Sequence, residues 1–84
     1  MDEFRTVPHF PDEAAWLTGL RPGDSVVRWL AGAIPVPLVV TKVHGGLITC
    51  GHWEFLRDTR GEVDEDLGWD GKGVTGSYIR PPAQ

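Results

Sequence analysis

The sequence predicts a small all-β barrel, and three observations carry that expectation. Short runs of β-branched and aromatic residues recur along the chain, turns bearing Gly and Pro separate them, and only one stretch has helix-forming chemistry. Eleven glycines and seven prolines in 84 residues supply the punctuation that so many short connections require.

Residues 1–10 show no periodicity and are expected to form a loose arm. Residues 11–18 make the one helix. Pro11 suits a first helical position, Asp12 and Glu13 sit where the helix dipole favours acids, and Gly19 closes it. So short a helix is stable only when docked, and Trp16, Leu17 and Leu20 are the residues that dock it against the barrel. In Leu20-Arg21-Pro22-Gly23-Asp24, proline precedes glycine at the two central positions, the pattern of a type II turn.

The first strand, Ser25–Leu30, places Val27 and Trp29 on one face and Val26, Arg28 and Leu30 on the other. Residues 31–37 are expected to form a loop outside any central strand, because Pro35 and Pro37 cannot donate ladder hydrogen bonds. A β-branched strand over residues 38–44 follows. Gly45-Gly46 then turns the chain back, since hairpin turns need positive φ. Residues 47–55 alternate on both sides of Gly51, which predicts one long strand bent at that glycine. A turn centred on residues 58–61 leads to a short returning strand. Residues 65–73 are expected to be a loop anchored by Leu67 and Trp69, and residues 74–79 the last strand, ended by Arg80-Pro81-Pro82. Five short antiparallel strands joined by tight hairpins fit an SH3-like barrel better than an OB-type one, whose strands are longer. One domain over residues 11–80, with a tail at 81–84, accounts for the chain.

Composition narrows the function classes. A single cysteine excludes an internal disulfide, and neither a signal peptide nor an apolar run of membrane-spanning length is visible, so a cytoplasmic location is expected. The formal charge of −4 comes from 8 basic and 12 acidic residues, and the basic ones are scattered, which disfavours nucleic acid. Six acids crowd residues 58–70.

Pro22-Gly23-Asp24-Ser25-Val26, the apolar-proline loop, Val39 to Val43, Ile48-Thr49-Cys50-Gly51-His52-Trp53-Glu54-Phe55 and Asp64 to Trp69 together resemble a group of small uncharacterised bacterial proteins that look like single SH3-like barrels. The resemblance covers roughly residues 20–80. It implies the barrel fold and no particular chemistry. The Pro-Gly-Asp opening is also similar to that of KOW-like and Tudor-like barrels, which implies a nucleic-acid-associated alternative; Arg21, Arg28, Lys42 and Arg80 would carry it if they converged on one face.

Candidate sites follow from residue chemistry. Cys50, His52 and His44 would offer soft metal ligands or a nucleophile–base pair if they converged, although paired cysteines are absent. Asp64, Asp66 and Asp70 lie close in sequence as in a calcium loop, but Ser77 stands where the pattern requires glutamate. Residues 71–77 are glycine-rich with a lysine but lack the spacing of a phosphate loop. The aromatics Trp29, Trp53, Trp69 and Tyr78 would line a groove with Pro35 and Pro37 if exposed, although Trp29 and Trp53 are expected in the core. The function expected is therefore a non-enzymatic binding module without cofactor. It would hold a protein or peptide through Trp69, Tyr78, Asp64, Asp66, Pro35 and Pro37, with acids selecting a basic partner. Dimerisation by sheet-edge pairing is a further expectation.

Overall fold

The structure is a computed structural model that describes Val7 and residues 10–82. The loose arm expected over residues 1–10, apart from Val7 and Phe10, and the end of the tail lie outside the described residues. A 3-10 turn, Pro11–Glu13, runs into α1 (Ala14–Thr18), and the Gly19 amide closes the helix on the carbonyls of Ala15 and Trp16. Among the described residues eight strands follow: β1 (Ser25–Leu30), β2 (Ile34–Val39), β3 (Lys42–His44), β4 (Leu47–Cys50), β5 (Trp53–Leu56), β6 (Glu62–Asp64), β7 (Trp69–Asp70) and β8 (Ser77–Arg80).

They form two antiparallel sheets. One has the order β2-β1-β8 and the other β3-β4-β5-β6-β7, so the larger sheet is a meander of consecutive hairpins. The all-β class with one short N-terminal helix is as expected. The strands are more numerous and shorter than expected: residues 38–44 fall across β2 and β3, residues 47–55 divide into β4 and β5, Trp69 and Asp70 of the expected 65–73 loop pair with β6 as β7, and the last strand begins at Ser77 and not at Val74.

Residues 47–55 are a hairpin and not one bent strand. Cys50 pairs with Trp53 and Ile48 with Phe55, and Gly51 stands at φ +67° in the two-residue link. A two-residue link preserves apolar alternation, which is why the sequence looked continuous. Thr41 braces this turn by accepting the Gly51 amide on its hydroxyl, at 3.1 Å. The Gly45-Gly46 link is present as expected, with Gly45 at φ +59° and His44 opposite Leu47. So is the type II turn: Gly23 has φ +98° and the Asp24 amide donates to the Arg21 carbonyl.

Pro35 and Pro37 lie inside β2 and not in a loop. An edge strand tolerates them, because alternate residues turn their backbone groups away from the neighbouring strand. Leu67, the expected anchor of the 65–73 loop, is 58% exposed.

The core lies between the sheets. Val26, Val40, Ile48, Cys50, Phe55 and Ile79 are all at or below 1% exposure, and Leu17 and Leu20 add the helical end of the chain to the same cluster. Trp16, Leu38, Val43 and Trp53 pack around it half-buried, while Trp29 is not part of it. Burying each of the larger apolar side chains contributes about 1.5–3 kcal/mol.

Candidate binding surface

The register of the three-stranded sheet decides which side chains share a face. Val26 and Ile79 are buried, so the inner face carries Val26, Arg28 and Leu30 from β1 and Ser77 and Ile79 from β8. The outer face then carries two cross-strand rows. Pro35, Trp29 and Tyr78 form one, and Pro37, Val27 and Arg80 form the other. Cross-strand neighbours on one face lie within reach of long and aromatic side chains. Pro35 and Pro37 are exposed, and Val27, Trp29 and Tyr78 half-buried.

A groove of about 410 Å³ runs over this face, lined by Val27, Trp29, Pro35, Arg80, Pro81 and Pro82, with Glu13 at its margin. A second apolar depression, of about 560 Å³, shares Val27 and Pro82 and reaches Pro37, Val39 and Trp53. The expected grouping of Tyr78, Pro35 and Pro37 is therefore present on one face. Trp29, expected in the core, stands between them.

One end of the face is fixed by a charged cluster. Glu13 accepts from Arg60 at 2.6 Å and from Arg80 Nε at 3.2 Å. The Arg80 guanidinium lies 4.0 Å from the centre of the Phe10 ring, and that ring lies 6.0 Å from Tyr78. Arg60 also donates to the carbonyl of Ile79 and holds a left-handed φ of +67°. Burial pushes the Glu13 carboxyl up, but the hydrogen bonds and charges of Arg80 and Arg60 together outweigh it and hold it below the usual carboxylate value.

Trp69, Asp64 and Asp66 lie elsewhere. Trp69 pairs with Asp64 across β6–β7 and covers Gly76, so close that a Cβ there would lie 2.3 Å from its ring. Asp64 is committed to its own turn, its Oδ1 accepting the amides of Asp66 and Leu67. Around them His52, Glu54, Glu62, Asp64, Glu65 and Asp66 line an acidic depression of about 500 Å³. Asp70 points into a turn, where the amides of Val74, Lys72 and Gly73 hold its carboxyl below its usual value. Asp64, Asp66 and Asp70 thus form no cation site, and no group of three or more metal-ligating side chains occurs among the described residues.

Cys50, His52 and His44 do not converge. Cys50 is buried and its thiol pushed up to about 11 by that burial; His44 pairs with Leu47 on the opposite face of the sheet. His52 sits exposed in the hairpin turn, edge-on to Trp53 at 6.1 Å. Nor do Arg21, Arg28, Lys42 and Arg80 share a face. Arg28 and Arg80 are on opposite faces of one sheet, and each is ion-paired.

Sequence reasoning missed the buried polar set between the sheets. Glu62, 1% exposed, accepts from Arg28 Nε at 2.9 Å and from the Ser77 hydroxyl, and Arg28 lies over Trp53 at 5.2 Å. The available signal was Arg28 itself, which alternates in step with Val26 and Leu30. A cation on an inner face demands a partner. No helix among the described residues is long and apolar enough to cross a membrane. No protein family, curated protein or solved structure matches this chain.

Proposed function

We propose that this chain is a non-enzymatic, cytoplasmic binding module that holds an extended segment of a protein partner on the outer face of the β2-β1-β8 sheet. The single observation that supports this is the apolar groove lined by Trp29, Pro35, Pro81 and Pro82, with Tyr78 the cross-strand neighbour of Trp29 on the same face. Flat aromatic surfaces beside prolines suit a proline-rich or otherwise extended peptide, whose preformed geometry limits the entropy lost on binding. The acidic depression lies apart from this groove and acts on it at a distance, adding attraction for a segment that carries Lys or Arg and speeding its approach.

The test is calorimetric titration of the protein with a panel of proline-rich peptides, with and without flanking Lys and Arg. Micromolar to submillimolar binding by the basic members, weakened at high salt and lost in Trp29→Thr, is expected. Threonine keeps strand propensity, so the variant retains the sheet. A panel that fails throughout, or a Trp29→Thr protein that binds as well as the native one, would overturn the proposal.

A further inference from the structure

The hydrogen-bond phase of β2 determines what its free edge can do. The Val40 amide donates to the Asp24 carbonyl at 2.9 Å, which makes Asp24 and Val40 bonded opposites. Counting along the β1–β2 register in steps of two, Val26–Leu38, Arg28–Val36 and Leu30–Ile34 are the bonded pairs. Val27–Pro37 and Trp29–Pro35 are the non-bonded ones. The main-chain groups of residues 35, 37 and 39 therefore face away from β1, along the outer edge of the sheet. At 35 and 37 that edge has a carbonyl and no N–H. Proline occupies two of the three positions where an outward donor would stand, Val39 keeping the third, and neither of the inward positions 36 and 38, where a donor is needed for β1.

We infer that Pro35 and Pro37 block the β2 edge against pairing with a second copy of this chain. Without them the edge is suited to self-association. β2 is six residues long and carries Ile34 and Val39, 54% and 52% exposed. A two-fold antiparallel pairing centred on Val36 sets residue 35 of each copy against residue 37 of the other. All four donors of the two 35–37 pairs are the ones proline removes, which leaves only the Val39 amide of each copy at the end of the strand. The block acts through the edge and leaves the outer face of the sheet open, so it stands independently of the function proposed above.

The test is sedimentation of Pro35→Val/Pro37→Val across a concentration series beside the native protein, with hydrogen exchange measured at the two new amides. Restoring four inter-chain hydrogen bonds is expected to tighten self-association by roughly 30-fold or more. The amides at 35 and 37 should become protected as dimer forms. A folded variant that sediments like the native chain, or one that associates while both amides exchange freely, would overturn the inference. Should the double variant fail to fold, Pro37→Thr provides the same readout with one donor restored per chain: self-association tighter than native with residue 37 protected supports the block, and native-like association sinks it.

Discussion

Glu13 is a single residue on which three separate segments of the chain depend. It joins the helix to the β5–β6 turn through Arg60 and to β8 through Arg80, with the Phe10 ring against both guanidinium groups. Because its carboxyl is held below the ordinary value of 4.5, the unfolded chain binds the extra proton in the interval between the two values. The contribution to stability is therefore complete above about pH 5 and is lost as the pH falls through the lowered value. Glu13→Gln is expected to cost about 1.5–3 kcal/mol at pH 7, the range for hydrogen bonds to charged groups, and to flatten the decline of the urea midpoint below pH 5. An unchanged acid slope would show that Asp70 and other carboxylates carry it. Nothing near Glu13 in the sequence announces these partners, since Arg60 and Arg80 are 47 and 67 residues away.

Among the elements, those set by local chemistry were legible in the sequence and those set by pairing were not. Gly45-Gly46 and Pro22-Gly23 dictate their turns through φ alone. Gly51 obeys the same chemistry, yet the apolar alternation on either side of it matches a strand as well as a hairpin, and only the pairing of Cys50 with Trp53 separates the two. Pro35 and Pro37 are excluded from a central strand but not from an edge, and sequence does not say which strand is the edge. For the candidate site, register brings Tyr78, Pro35 and Pro37 together and sets Trp69, Asp64 and Asp66 apart, a division that no local pattern encodes.

One close approach between elements was equally invisible. The β5–β6 turn crosses the segment after β7 so tightly that a Cβ on Gly61 would lie 2.4 Å from the Gly71 carbonyl oxygen. Gly61→Ala must displace main chain and is expected to lose about 1–3 kcal/mol or more, measured by chemical denaturation. Gly73→Ala, with open space around it, is the control and should stay within about 0.5 kcal/mol of native.

At the scale of the whole molecule, the two sheets meet through an apolar core and one buried ion pair. Glu62 and Arg28 are nearly sealed from water, their side chains 2% and 12% exposed, with Ser77 and Thr75 satisfying further groups of β6. Such a pair contributes little net stability when intact, but removing one partner strands the other. Glu62→Met is expected to cost about 3–5 kcal/mol, whereas Arg28→Met combined with Glu62→Met should recover part of that loss. A double-mutant cycle checks it, and additive effects would show that the two side chains are not coupled.

The division into two sheets also has an entropic side. Every ladder of the five-stranded sheet joins strands adjacent in the chain, so each closes over only a short loop. The β1–β8 ladder instead closes the whole segment from Leu30 to Ser77, a penalty that grows with the logarithm of loop length and exceeds that of a hairpin by about 2 kcal/mol. Because the growth is logarithmic, doubling that enclosed segment would add only about 0.6 kcal/mol. The exposed connections inside it can thus lengthen at small thermodynamic cost while β8 still returns to β1.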